Sequence, residues 1–110
     1  MQFEEYQEKA ASTDLKTSIA GNRIVYYVLG LVDEAGEVAG KIKKLYRDKE
    51  GKLDDEYKKL IAKELGDVLW YLSALSRKLG FSLSQIAEMN LNKLNSRKER
   101  GMLKGNGDNR

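Results

Sequence analysis

The chain has 110 residues and a formal net charge of +3, with 34% charged and 41% hydrophobic residues. This length predicts one domain with one modest core, so self-association is a reasonable expectation. The chain contains no histidine or cysteine, which excludes metal sites built on soft ligands. The lack of proline, with Ala, Leu, Lys and Glu abundant, predicts a mostly helical protein.

The start of the chain and its apolar runs indicate where in the cell the protein is expected. The first five residues lack the basic and apolar regions of a signal peptide. The longest apolar run, residues 24–32, is far shorter than the ~20 residues that a membrane span needs. The lack of cysteine fits a reducing compartment. We therefore expect a cytoplasmic protein with no membrane association.

The first half of the chain is predicted to hold a short helix and a long one. The short helix spans Phe3–Ala11 and ends at a break around residues 12–14. The long helix spans about residues 22–48, because its apolar positions alternate by three and four; these are Val28, Leu31, Ala35, Val38, Ile42 and Leu45. Residues 24–29 are apolar around the whole helix, which must then be covered on all sides. We expect a homodimer or a tetramer.

The second half is predicted to hold two more helices. Residues 49–52 connect to a helix that Asp54 caps and that ends near Leu79, before the natural stop Gly80. Its seam positions are Ile61, Leu65, Val68, Leu72, Leu75 and Leu79. Residues 82–85 have capping-box form and open a fourth helix through about residue 97. Two apolar seams joined by a short loop predict an antiparallel helix pair within an all-α helical bundle.

The same acid-containing motif occurs on both long helices. Residues 34–37 are Glu-Ala-Gly-Glu, and residues 64–67 are Glu-Leu-Gly-Asp. Residues three apart share one helix face, so packing of the helices would bring four carboxylates together. Such a cluster repels itself unless a cation binds, and its hard oxygen ligands favour Mg²⁺ or Mn²⁺ over Zn²⁺. Solvent-exposed charges paired with lysines are the alternative.

Four glycines lie inside the long helices, where each costs roughly 0.5–1 kcal/mol relative to alanine. They are Gly30, Gly36, Gly40 and Gly66. We interpret them as points of close backbone approach that draw the carboxylates into one coordination sphere. Ordinary tight helix crossing without a ligand is the alternative. Lys41 and Lys44 extend the acidic face of the first long helix; we expect both to be solvated, and a contribution to the site is the alternative.

Polar residues of the fourth helix and aromatic residues of the third complete the candidate site. Asn90, Lys93 and Arg97 share one face, and cations beside an amide suit a polyphosphate. Asn90 falls near the apolar stripe, so we expect it to point toward the bundle. Tyr71 lies on the acidic face and its neighbour Trp70 could stack on a base. Taken singly, such cations are usually solvent-facing and such aromatic residues usually belong to the core.

Several segments resemble the MazG-like nucleotide pyrophosphohydrolases, an all-α superfamily. Residues 31–38 and 64–72 are similar to its two signature helices, whose pattern is E-E-x-x-E followed by E-x-x-D. Asp33 stands where that pattern has its first glutamate. Residues 90–97 resemble the phosphate-contacting helix of the family, and residues 100–110 resemble the tail of a small single-domain branch. The resemblance covers nearly the whole chain and implies a single domain over residues 1–110.

The resemblance implies hydrolysis of a nucleoside triphosphate between its α and β phosphorus atoms, giving the monophosphate and pyrophosphate. It implies four acids that ligate Mg²⁺ and act in catalysis: Glu34, Glu37, Glu64 and Asp67. One acid, or a metal-held water oriented by it, would supply the nucleophile. The residues implied to bind the phosphates and line the nucleotide pocket are Asn90, Lys93, Arg97 and Tyr71. Relatives in the family are dimers or dimer-of-dimers tetramers.

Two other classes of protein compete with this interpretation. A non-catalytic helical dimerisation module would use the same apolar seams, with the acids paired to lysines. Nucleic-acid binding through the basic tail is disfavoured, because the acidic centre would repel a phosphate backbone. Magnesium-dependent release of pyrophosphate separates the enzyme from the module. Nothing in the sequence selects a base or a sugar.

Overall fold

Four α-helices form the protein in the computed structural model, which describes residues 1–110. They are α1 (Phe3–Ala11), α2 (Arg23–Lys49), α3 (Asp55–Lys78) and α4 (Leu83–Glu99). The predicted all-α fold is confirmed, and the predicted helix ends lie within about two residues of the observed ones. No helix combines the length and the apolar character that crossing a bilayer requires.

Side-chain caps determine where three of the helices begin. Asn22 Oδ1 accepts a hydrogen bond at 2.9 Å from the backbone N–H two residues on, at the start of α2. Asp54 Oδ1 accepts one at 2.7 Å from the backbone of Tyr57 in α3. Ser82 and Gln85 form the predicted capping box, in which each side chain accepts from the other's backbone N–H. Each cap satisfies N–H groups that a helix start leaves without partners.

Helices α2 and α3 are antiparallel and make the main contact of the fold. Tyr57, near the start of α3, donates from its hydroxyl to the Lys41 carbonyl of α2 at 2.5 Å. The ring of Tyr71, late in α3, meets Gly30, early in α2. The turn between the helices is tight because Glu50 adopts the left-handed conformation, at φ 55°. This pairing places the two acidic segments at the same level.

One buried amide joins the other two helices to α3. Gln7 of α1 donates from Nε2 to the carbonyls of Ser73 at 3.2 Å and Phe81 at 3.4 Å. Its Oε1 accepts from the Leu83 backbone N–H at 3.1 Å. Gln7 therefore ties α1 to the end of α3 and to the start of α4.

The core of a single chain is thin. Only 9 of the 110 residues are buried. The radius of gyration is 17.0 Å, against about 13 Å for a compact chain of roughly this length. Within the predicted apolar stretch, Val28, Leu29 and Val32 are 40%, 55% and 65% exposed. The chain therefore carries the uncovered apolar surface expected of a subunit, and the homo-oligomer itself stays a prediction.

Candidate metal and nucleotide site

Three carboxylates meet where α2 packs against α3. Glu34 of α2 and Glu64 and Asp67 of α3 each place one oxygen within 4.8 Å of the others; we call these residues the acid cluster. Glu64 and Asp67 share a face of α3 because they are three residues apart. The antiparallel packing places Glu34 opposite them. The structure therefore brings together three of the four acids predicted from the sequence.

The fourth predicted acid, Glu37, lies outside the acid cluster. It follows Glu34 by about one turn of α2, and its side chain is exposed. No hydrogen bond or ion pair holds it. A ligand role for Glu37 therefore stays a prediction.

The Glu34 carboxyl lies among several other negative charges. Partial burial and then the charges of four neighbouring acids raise the pKa of its carboxyl; these are Asp67, Asp33, Glu64 and Glu37. Neither Glu34 nor Asp67 has a hydrogen bond or an ion pair within the protein. The unbalanced negative charge opposes ionisation of Glu34, and a bound cation would relieve it.

Lys41 makes the only ion pair of the acid cluster. Its Nζ lies 3.8 Å from Glu64 Oε1, and both side chains are largely buried, at 29% and 19% exposure. The expectation that Lys41 is solvated was therefore wrong, because its position on α2 turns it toward α3. One lysine against three carboxylates leaves the cluster negative.

The donor atoms of the acid cluster fit a hard divalent cation. All of them are carboxylate oxygens, the ligands that Mg²⁺ and Mn²⁺ prefer. Mg²⁺ binds oxygen at about 2.0–2.1 Å in octahedral geometry, so two oxygens on one ion are about 3 Å apart when adjacent and about 4 Å apart when opposite. The oxygens of the acid cluster, within 4.8 Å of one another, would have to move closer together to bind one ion.

Two aromatic residues and two acids line an open cavity of about 310 Å³: Glu34, Asp67, Trp70 and Tyr71. This volume is at the lower end of the range for small-molecule sites. The hydrogen bond from Tyr71 to Tyr26, with an O–O distance of 3.5 Å, leads the causes that raise the pKa of Tyr71 to about 12. Tyr71 is therefore a neutral phenol. It lies at the edge of the acid cluster, on the acidic face where it was predicted.

Trp70 joins this cavity to the segment that follows α1. Its Nε1–H donates to Thr13 Oγ1 at 2.8 Å, and its ring meets Tyr71 edge to face at 4.9 Å between centroids. Because the indole N–H is already used, Trp70 would offer a base its ring rather than a hydrogen bond. The stacking role stays a prediction.

Only one of the four helix glycines allows a close approach within the chain. At Gly30, an added Cβ would collide with the Tyr71 ring. At Gly36, Gly40 and Gly66, it would meet no atom within 4 Å. The predicted close approach at these three glycines was therefore wrong for a single chain, because side chains such as Tyr71 set the spacing of α2 and α3.

The predicted phosphate-binding residues of α4 contact the end of the chain instead of the acid cluster. Lys93 Nζ lies 2.6 Å from Asp108 Oδ1, and Arg97 Nη2 donates to the Asp108 carbonyl at 2.7 Å. Helix α4 packs on α1 and α3 and makes no contact with α2. Asn90 is exposed, contrary to the expectation that it points toward the bundle. The reason is that this part of α4 is little covered, with Leu91 57% exposed.

Comparisons with known proteins found a family and a relative that match the chain. The family model described as the MazG nucleotide pyrophosphohydrolase domain matches residues 25–102, which include both acidic segments. The chain is 51% identical over 85 residues to the Gene 37 protein of Mycobacterium phage L5, covering 77% of this chain and 75% of that protein. No solved structure matches the chain significantly.

Proposed function

Because the chain belongs to the MazG nucleotide pyrophosphohydrolase family, we propose that it hydrolyses a nucleoside triphosphate to the monophosphate and pyrophosphate. Its cofactor is Mg²⁺, with Mn²⁺ as the alternative ion. The observation that carries this proposal is the convergence of Glu34, Glu64 and Asp67 within 4.8 Å with a single lysine to balance them. Glu37 is the proposed fourth ligand.

A divalent cation held by these acids would neutralise charge on the phosphate oxygens and make a water molecule more acidic. Side chains that do not bind the metal position the acids and line the cavity. Lys41 holds Glu64 in place from within the helix pair. The Tyr71 phenol, whose hydroxyl donates to Tyr26, lines the cavity together with the Trp70 ring. Cleavage between the α and β phosphorus atoms consumes one water, whose proton one of the acids accepts.

We propose that the protein acts as a homodimer or as a dimer of dimers. Asn90, Lys93 and Arg97 are the proposed phosphate contacts, but the helix contacts within one chain do not bring α4 to α2. A second copy that covers the exposed face of α2 could bring the two elements together. A cytoplasmic location is part of the same prediction.

Leu29→Glu tests the assembly, since Leu29 is exposed in one chain and the change should not disturb its core. A charge in an apolar interface lacks a partner, so we expect the variant to sediment as a monomer while the wild type sediments as a dimer or larger. Leu15→Glu is the control, because Leu15 is 91% exposed and lies outside α2. A monomeric wild type at micromolar concentration would contradict the assembly.

The activity is tested with a panel of canonical and modified nucleoside triphosphates in the presence of Mg²⁺. We expect the monophosphate and pyrophosphate in equal amounts, identified by ³¹P NMR, and no turnover with excess EDTA. Release of inorganic phosphate and the diphosphate would contradict cleavage at the proposed bond. The absence of turnover across the panel would favour the dimerisation module, which the Lys41–Glu64 ion pair would then serve.

A further inference from the structure

The segment after α4 folds back on the helix, and hydrogen bonds to its own backbone carbonyls hold it. We call residues 101–110 the tail loop. The Arg110 guanidinium donates to the carbonyls of Met102 and Leu103, both at 3.2 Å, and of Gly107 at 2.7 Å. Arg100 of the α4 end donates to the Arg110 carbonyl at 2.7 Å. These bonds give the tail loop a defined conformation.

Asp108 is the point where the tail loop contacts two cations of α4. Its Oδ1 lies 2.6 Å from Lys93 Nζ and 3.3 Å from Arg97 Nη2. The Arg97 side chain is only 8% exposed, whereas the Asp108 side chain is 74% exposed. The ion pair with Lys93, and then that with Arg97, lowers the pKa of Asp108. The carboxylate therefore stays charged at neutral pH.

Lys93 keeps free hydrogen-bond donors while it contacts Asp108. An ammonium group has three N–H donors, and Asp108 uses one of them. Two cations against one carboxylate also leave a net positive charge. A lysine whose rotamer is already fixed loses less conformational entropy when an anion binds. Lys93 is therefore held in a form that is ready to bind a phosphate group.

Displacement of the tail loop would be unfavourable. It would break the Asp108 contacts to Lys93 and Arg97 and would uncover a guanidinium whose Nε already lacks an acceptor. A buried charge that loses its partner is strongly destabilising. The cost of displacement therefore favours a tail loop that stays in place when substrate binds over one that substrate pushes aside.

We propose that Asp108 is a positioning residue for phosphate binding. Its carboxylate holds Lys93 and Arg97 so that the remaining donors of Lys93 face a phosphate group of the substrate. The inference rests on the proposed function for the phosphate-binding role of Lys93. In the rival arrangement, Asp108 occupies the phosphate position and blocks it. Removal of its carboxylate would then strengthen phosphate binding, whereas our proposal expects weaker binding.

The test measures pyrophosphate binding by calorimetry with Mg²⁺ present, together with KM and kcat for the preferred nucleotide. Asp108→Ala should weaken pyrophosphate binding and raise KM by about tenfold, with kcat changed by less than about twofold. Asp108→Asn keeps an oxygen that accepts from both cations, so its loss should be smaller. In a Lys93→Gln background, Asp108→Ala should have a much smaller effect on binding, because only Arg97 is then left for Asp108 to hold.

Asp55→Asn is the matched control, because Asp55 is a 96% exposed aspartate that pairs only with Lys58. It should bind pyrophosphate as the wild type does. Tighter binding in either Asp108 variant would overturn the proposal in favour of a block. Unchanged binding with a lower melting temperature would overturn it in favour of a purely structural tail loop. If Asp108→Ala fails to fold, Asp108→Asn decides by the same outcomes.

The same measurements separate this inference from the proposed function. A protein that cleaves nucleotides but binds pyrophosphate independently of Asp108 keeps the function and loses the inference. A protein that cleaves none, yet binds pyrophosphate through Lys93 and Asp108, loses the function and keeps the inference. A wild type that binds no pyrophosphate overturns the inference.

Discussion

The acid cluster and the tail loop hold carboxylates under opposite conditions. In the acid cluster, three carboxylates share one lysine, and burial and neighbouring acids raise the pKa of Glu34. In the tail loop, one carboxylate has two cations, and the pKa of Asp108 is lowered. The first arrangement opposes folding and the second supports it. An arrangement that costs stability in the absence of a ligand indicates a binding site, whereas a balanced ion pair indicates a structural or positioning contact.

The largest expected effect is on catalysis by the acid cluster. Asp67→Asn removes one ligand charge and should lower magnesium-dependent turnover by at least about 100-fold. Asp55→Asn, the same change at an exposed position of α3, should leave turnover unchanged. Steady-state pyrophosphate release measures both. An Asp67→Asn variant with full activity would remove Asp67 from the site.

Glu37→Gln tests whether an acid of α2 that lies outside the acid cluster also contributes to turnover. Glu37 lies outside the acid cluster and is proposed to join the ligands only when metal binds and its side chain moves. We therefore expect a clear loss of turnover, smaller than that of Asp67→Asn in the same assay. Full turnover in Glu37→Gln would remove Glu37 from the ligands.

A smaller effect is expected from the residue that sets the spacing of α2 and α3. Gly30→Ala forces a methyl group against the Tyr71 ring and should destabilise the protein by about 1–3 kcal/mol. Gly66→Ala has open space and should stabilise it by roughly 0.5–1 kcal/mol through helix propensity. Urea unfolding at one pH measures both changes. Equal effects of the two substitutions would contradict the packing of Tyr71 on Gly30.

The smallest effect is the difference in pH dependence between the two regions without metal. The folded-state pKa of Glu34 is raised from its usual 4.5, so this residue costs stability as pH rises from that value through the raised pKa. The folded-state pKa of Asp108 is lowered from its usual 3.8, so its contribution is present above that value and is lost as pH falls through the lowered pKa.

Melting temperatures between about pH 3 and 6 test both signs. Relative to wild type, Glu34→Gln should gain stability as pH rises across this range, and Asp108→Asn should lose it. Parallel curves for wild type and both variants would mean that neither carboxyl differs in pKa between the folded and unfolded protein.

Sequence patterns were sufficient for the helices and for most of the acid cluster. Alternation by three and four, with caps at Asp54 and Ser82, predicted elements that the structure confirms. The spacing of Glu64 and Asp67 placed both on one face of α3. The short connection to α2 then brought Glu34 opposite them. Each of these features depends on local geometry, which the residues themselves largely determine.

Features that depend on contacts between distant residues were not predictable. Whether Glu34 or Glu37 faces α3 depends on the rotation of α2, which the Tyr71 ring against Gly30 helps to set. The sequence could not distinguish Gly30 from the other helix glycines, because their partners lie on another helix or in open space. The tail loop is glycine-rich and polar, and nothing local predicts that Asp108 reaches back to Lys93.

The most direct test of the central claim, that the acid cluster binds a divalent cation, is the melting temperature of wild type and Asp67→Asn with and without Mg²⁺. We expect Mg²⁺ to raise the wild-type melting temperature, as binding to the folded state requires. Without metal, Asp67→Asn should melt at or above the wild-type temperature, because it relieves repulsion, and Mg²⁺ should stabilise it much less. A variant that melts below wild type, with no effect of Mg²⁺ on either protein, would contradict the claim and make the acids structural.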